Sequence, residues 1–262
     1  MEYPLFQVDA FTSTLFRGNP AAVMIMPDWL PDDTLQAIAA ENNLAETAFV
    51  IPRSTNRFGL RWFTPEVEVD LCGHATLASA FVLFTQGHAP GQKIVFESPS
   101  GELSVERDDD DDLLTLDFPA RPAEPIEIDP RLVAALGPTP REVLKSRDLL
   151  IVYEREEDVR AMRPDFAALS MVDAFAFIVT APGSQCDFVS RFFAPRAGIP
   201  EDPVTGSAHC TLVPYWSRRL DKRRLHALQV SRRGGELFCE DRDQRIRIAG
   251  RAVLYLTGRI SV

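Results

Sequence analysis

Cysteine and histidine are scarce in this chain, and long apolar runs are missing. The four cysteines (Cys72, Cys186, Cys210, Cys239) and four histidines (His74, His88, His209, His226) match no zinc spacing and no dense disulfide framework. Only the neighbours His209 and Cys210 resemble a ligand pair, so no metal is expected. Free thiols in a reducing compartment are the default for such a pattern. The longest apolar run near a helix, Leu77 to Phe84, is broken by Ser79 and falls far short of the ~20 residues of a membrane span. Met1 to Ser13 alternates like a strand and carries Glu2 and Asp9, unlike a secretory leader. A cytoplasmic protein is therefore expected. A nucleotide-binding loop and a dinucleotide fingerprint are also lacking. Positive charge is in deficit, with 28 Lys and Arg against 38 Asp and Glu, a net charge of -10. That argues against nucleic acid or an anionic membrane as the main partner, since both need a basic face. The basic cluster Arg218, Arg219, Lys222, Arg223 and Arg224 reads as the solvated end of a helix.

What remains is an ordinary globular composition, 45% hydrophobic and 25% charged over 262 residues. That is length for one large domain or two modest lobes. Strand-like runs dominate. In the first half they are Phe6–Phe11, Ala21–Met26, Thr47–Ile51, Phe58–Phe63, Lys93–Glu97, Glu102–Arg107 and Leu113–Phe118. In the second they are Leu149–Tyr153, Ala174–Thr180, Asp187–Phe193, Leu228–Ser231, Glu236–Glu240, Arg245–Ile248 and Ala252–Leu256. Asp108 to Asp112 reads as a hairpin tip in water. Helices are expected at Pro31–Glu41, Gly73–Gln86 and Thr205–Leu220. The second of these is small and apolar all round, so it should be buried within its lobe. Pro119 to Pro140 holds prolines at 119, 122, 125, 130, 138 and 140, and reads as a linker. The expected lobes are 1–119, to which a last strand at about 253–262 returns, and 120–262.

The two halves are related. Shifted by 130 residues, Arg61-Trp62-Phe63-Thr64-Pro65 meets Arg191-Phe192-Phe193-Ala194-Pro195, and Pro52, Ser54, Phe58 and Ala78 also find identical partners. Chance identity of about 7% would give roughly two matches over that stretch, fewer than half of those seen. In this ungapped alignment Cys72 falls on Asp202. Each precedes a glycine-containing turn that opens a helix, Cys72-Gly73-His74-Ala75-Thr76 and Asp202-Pro203-Val204-Thr205-Gly206-Ser207. Helix starts present unpaired N–H groups and partial positive charge, and so suit an anion. Two of them facing across a seam would make a carboxylate site.

These motifs are similar to those of the PhzF-like family, the phenazine-biosynthesis isomerase group within the diaminopimelate epimerase fold. The resemblance rests on Val8-Asp9-Ala10-Phe11, Gly18-Asn19-Pro20-Ala21-Ala22-Val23, Asn43-Leu44-Ala45-Glu46-Thr47-Ala48-Phe49, Asp70-Leu71-Cys72-Gly73-His74-Ala75-Thr76 and Glu201-Asp202-Pro203-Val204-Thr205-Gly206-Ser207-Ala208. It implies an α+β fold of two pseudo-symmetric lobes, each a mostly antiparallel sheet curled round a central helix. It also implies a homodimer and a cofactor-independent isomerase of a small carboxylate; the family's type reaction moves a hydrogen within a dihydro-hydroxyanthranilate. Carried over residue by residue, Glu46, His74 and Asp202 match catalytic positions. Ser207 matches in the second turn, and Asn19 falls where the fold lines the cleft. Cys72-Gly73-His74 is also similar to the first catalytic motif of proline racemases and diaminopimelate epimerases, which use two thiols. The second thiol is missing here.

Moving a proton on carbon needs a base, an acid to return it, and stabilisation of the carbanion. Glu46 is the expected base, set among Leu44, Ala45, Ala48 and Phe49. His74 and Asp202 would carry the returning proton. Cys72 is either a further acid–base group or a small core residue. Gly73, Thr205, Gly206 and Ser207 would hold the substrate carboxylate. A racemase or epimerase using Cys72 and Asp202, or a binding module without catalysis, stand as alternatives.

Overall fold

The computed structural model describes residues 1–108 and 111–262. Asp109 and Asp110, in the acidic run expected at a hairpin tip, lie outside the described residues. The chain divides into two compact units, Met1–Asp117 with Ala249–Val262, and Phe118–Ile248.

In the first unit, β1 (Glu2–Ala10) lies between β2 (Asn19–Ile25) and β18 (Ala252–Ser261), antiparallel to both. α1 (Asp32–Asn42) carries the crossover to β3 (Glu46–Ser54), which runs parallel to β2, because parallel neighbours cannot be joined by a hairpin. β3 pairs antiparallel with β4 (Arg57–Phe63), and β4 with the short β5 (Glu68–Val69). α2 (Gly73–Thr85) then crosses to β6 (Lys93–Ser98), parallel to β4. β7 (Gly101–Arg107) and β8 (Leu114–Pro119) continue antiparallel. All of α2 except Phe81 and Thr85 is buried. A helix with no polar face is buried.

The second unit repeats this order. β9 (Glu124–Ile126) is followed by α3 (Pro130–Leu136) and pairs with β10 (Glu142–Lys145), which pairs with β11 (Leu149–Val152), both antiparallel. α4 (Glu156–Ala161) and α5 (Phe166–Ser170) lead to β12 (Phe177–Pro182), parallel to β11. β13 (Phe188–Ala194) pairs antiparallel with β12 and with β14 (Ile199–Asp202). A single 3-10 turn, Gly206–Ala208, opens α6 (His209–Leu220), which crosses to β15 (Arg224–Gln229), parallel to β13. β16 (Gly235–Arg242) pairs antiparallel with β15, and β17 (Arg245–Gly250) follows.

The shared order comes with shared side-chain contacts. Arg61 grips Glu68 with two nitrogens, each 2.7 Å from a carboxylate oxygen, and Arg191 grips Glu201 at 2.7 and 3.0 Å. The two guanidinium groups lie over Phe63 and Phe193, 5.1 and 5.0 Å from the ring centres. Arg61 and Arg191 are 130 residues apart, but Glu68 and Glu201 are 133 apart. The strand register agrees: Trp62 pairs with Val69, whereas Phe192 pairs with Asp202. Three extra residues therefore enter the second unit between the two members of the grip. This corrects the ungapped alignment. The counterpart of Cys72 is Thr205, which like Cys72 is the residue before its helical turn, and Gly73 and His74 correspond to Gly206 and Ser207.

Two other expectations change. Pro119 to Pro140 is no linker: it holds β9 and α3, and Pro130 opens α3 at the position where a missing N–H costs nothing. Asp129 caps that helix by accepting a hydrogen bond from the Arg131 amide, 2.9 Å. The strand expected at Leu228–Ser231 instead occupies Arg224–Gln229, because the polar Arg224 and His226 face outward while Leu225 and Ala227 are buried. Pro214 stands inside α6. It has no N–H for the carbonyl of Cys210, and the Arg121 amide takes that carbonyl instead, at 2.8 Å. Among the described residues, no helix is long and apolar enough to cross a membrane.

Candidate active site

Glu46, the first residue of β3, is placed by the left-handed turn of Asn43 that ends α1. Its carboxylate Oε2 lies 3.1 Å from His74 Nε2, with the two side chains only 13% and 5% exposed. The pair is in ionic contact but off the line of a hydrogen bond, so both atoms lack a hydrogen-bond partner. His74 sits in the first turn of α2. Its other nitrogen, Nδ1, lies 3.4 Å from Cys72 Sγ and 3.2 Å from the amide nitrogen of Asn19. Asn19, fully buried, opens β2 opposite Ala10. It is delivered there by Gly18, whose φ of +64° suits glycine, and where a Cβ would stand 2.1 Å from the Ala10 carbonyl. Asp9, also buried, accepts a hydrogen bond from the Phe16 amide at 2.9 Å and so holds the loop that reaches Gly18.

Burial and Glu46 shift the protonation of Cys72 and His74. Burial and the Glu46 carboxylate push the Cys72 thiol above its ordinary value, so Cys72 holds its proton at neutral pH. Burial pulls His74 down, but the Glu46 carboxylate beside Nε2 draws it up, above the usual histidine value. The Asn19 amide can turn either its nitrogen or its oxygen to Nδ1. The ring can therefore carry one proton or two without losing its partner. The donor atoms of Glu46, Cys72 and His74 lie within 4.8 Å of one another, a set of the kind that binds transition metals.

The second predicted set, Asp202, Thr205, Gly206 and Ser207, lies wholly in the second unit. Thr205 Oγ1 donates to Asp202 Oδ2. Asp202 and Ser207 are half-buried, while Thr205 and Gly206 are buried. Two residues that sequence reasoning passed over brace this turn. Gln229 bonds to Thr205 and Asp202, and His209 bonds through Nδ1 to the Thr205 carbonyl at 2.9 Å. The latter contact has its own counterpart in the first unit, where Thr76 Oγ1 donates to the Cys72 carbonyl at 2.6 Å. No sequence pattern marks Gln229, a lone amide at the end of a strand; the equivalence of His209 with Thr76 appears only once the three-residue insertion is known.

The family described as "Phenazine biosynthesis-like protein" matches residues 8–258. The chain belongs to the phenazine biosynthesis-like family. An uncharacterized isomerase of Pseudomonas aeruginosa is 54% identical over 261 residues, covering 99% of each chain. The crystal structure of a PhzF-family phenazine biosynthesis protein from Enterococcus faecalis superposes with a TM-score of 0.97 at 48% identity, over 100% of both chains. A hydroxyproline epimerase from Agrobacterium vitis shares the fold alone, with a TM-score of 0.63 at 10% identity, over 99% of this chain and 92% of that one. Within the phenazine biosynthesis-like family, this chain thus combines isomerase-named relatives with an epimerase-type fold.

Proposed function

We propose that this member of the family is an isomerase that moves a proton on carbon of a small carboxylic acid by acid–base catalysis. The observation that carries the reading is the buried pair of Glu46 and His74 at 3.1 Å. In this reading the Glu46 carboxylate takes a proton from carbon, and the C–H electron pair passes into the conjugated system next to the substrate carboxylate. His74, held protonated, keeps Glu46 ionised for that step and can give its own Nε2 proton to the return, to be replaced from the new carboxylic acid. A proton then returns to a different carbon, so that nothing is gained or lost overall. Asp202 is proposed to take part in the return. Thr205, Gly206 and Ser207 of the second unit are proposed to bind a carboxylate and the charge that grows on it in the transition state, and Gly73 of the first unit is proposed as a substrate-binding residue in its own turn. Acid–base action of this kind is worth ~10²–10⁴-fold.

The alternative one-thiol epimerase would need Cys72 as a thiolate base, and the raised thiol favours Glu46 instead. A screen in heavy water with small amino, hydroxy and cyclic dienyl acids tests the reading without knowing the product. Deuterium entering a cyclic dienyl acid supports it. Exchange confined to an α-carbon, and lost in Cys72→Ala, would replace it with the epimerase. Binding without exchange of any of these acids would replace it with a non-catalytic module.

A further inference from the structure

Gln229 ends β15 and is 1% exposed. Its backbone belongs to the sheet, opposite Gly235 and Ser190. Its side chain is spent entirely on the turn that carries Asp202. The Thr205 amide donates to Gln229 Oε1 at 2.8 Å. A backbone N–H can only donate, so this bond fixes which end of the amide is oxygen. The nitrogen Nε2 then donates to the Asp202 carbonyl at 2.9 Å and to Thr205 Oγ1 at 3.2 Å. A hydroxyl that receives there must send its own proton elsewhere, and Thr205 sends it to Asp202 Oδ2. The chain of donors therefore runs one way, from Gln229 to Thr205 to the Asp202 carboxylate.

The duplication separates this arrangement from ordinary bracing. In the second unit Ser231 Oγ donates to the Pro203 carbonyl at 2.7 Å, and in the first Ser100 Oγ donates to the Asp70 carbonyl at 2.6 Å. A serine two residues past the strand that follows the helix thus ties that end of the strand to the turn before the helix in both units. Gln229 has no such twin. Its counterpart, the last residue of β6, is Ser98, which bonds within its own hairpin to the Gly101 carbonyl. The amide clamp is present only where the turn carries an aspartate and a threonine.

We propose that Gln229 is a positioning residue that fixes the direction of the Thr205-to-Asp202 hydrogen bond and so holds the Asp202 carboxylate oriented for proton transfer. The proposal rests on the reading of Asp202 as an acid–base group. The test uses the full chain without ligand and follows the Thr205 hydroxyl proton by NMR. In the wild type it is expected to be slowly exchanging and downfield. In Gln229→Glu, of the same size but unable to donate to Thr205, that signal is expected to be lost. Gln229→Leu and Thr205→Val are expected to lower the rate of solvent deuterium entry into a dihydro-hydroxyanthranilate by about tenfold, with KM within about threefold. The double variant should be no slower than the worse single one, and Thr205→Ser should restore the rate. A purely structural role would lower Tm and leave both the hydroxyl signal of Gln229→Glu and the rate per folded molecule unchanged, which would overturn the proposal. Full exchange by Asp202→Asn would instead remove the acid–base reading of Asp202, while the NMR result would still decide the direction of the bond.

Discussion

His74 stands between two acids, with Glu46 3.1 Å from Nε2 and Cys72 3.4 Å from Nδ1. Glu46 arrives from β3 and the other two from the start of α2, so sheet and helix must both be in place before the set exists.

The first consequence concerns the thiol. Burial and Glu46 push Cys72 upward, so it should stay protonated and slow to alkylate at neutral pH. Native protein treated with iodoacetamide at pH 7 should keep Cys72 unmodified, as read by mass spectrometry of its peptide. Cys72→Ser should keep turnover within about tenfold, since a hydroxyl can still accept from the Nδ1–H of protonated His74. Rapid alkylation of Cys72 with loss of turnover would restore the thiolate reading.

His209 makes stability depend on pH. Burial drives it down to about 4, while in the unfolded chain it titrates near its ordinary 6.5. Between those values the unfolded state binds more protons, so this contribution is full above pH 6.5 and is lost as pH falls toward 4. At 1.36 kcal/mol per unit the loss is about 3 kcal/mol. Urea unfolding at pH 7.5 and pH 4.5 should show it, and the pH dependence should shrink in His209→Gln. An equal drop in wild type and variant would show that other groups set the acid limit.

Arg191 is 8% exposed, and besides gripping Glu201 it bonds the carbonyls of Val159 and Met162 at 3.0 and 2.9 Å. Arg191→Met leaves a half-buried carboxylate and two carbonyls without that partner. A cost of about 3 kcal/mol is expected, at the lower end for a broken buried pair, read as a lower urea midpoint. Arg61→Met should cost less, because Arg61 and Glu68 are more open to water, at 18% and 34% side-chain exposure. Equal losses would mean that burial does not govern the two grips.

Much of this was legible in the sequence because it is local. The apolar run of α2, the alternating strands and the Arg61–Pro65 repeat each announce themselves within a few residues. Family motifs match Glu46 and His74 each to a catalytic position, but spacing does not show their approach, since 28 positions and the β3–β4 pairing separate them. The three-residue insertion before Thr205 was hidden, because an ungapped alignment is dominated by the strands on which it holds. The proline-rich segment misled because Pro130 at a helix start and Pro125 in the three-residue β9 are both tolerated places for proline.

Glu46 is proposed to move a proton on carbon. Solvent deuterium entry into a dihydro-hydroxyanthranilate, compared between wild type and Glu46→Gln, tests it most directly. The wild type is expected to exchange, and the variant to lose ~10²-fold or more per folded molecule, with the fold kept as read by circular dichroism. A Glu46→Gln protein that exchanges at the wild-type rate would contradict it.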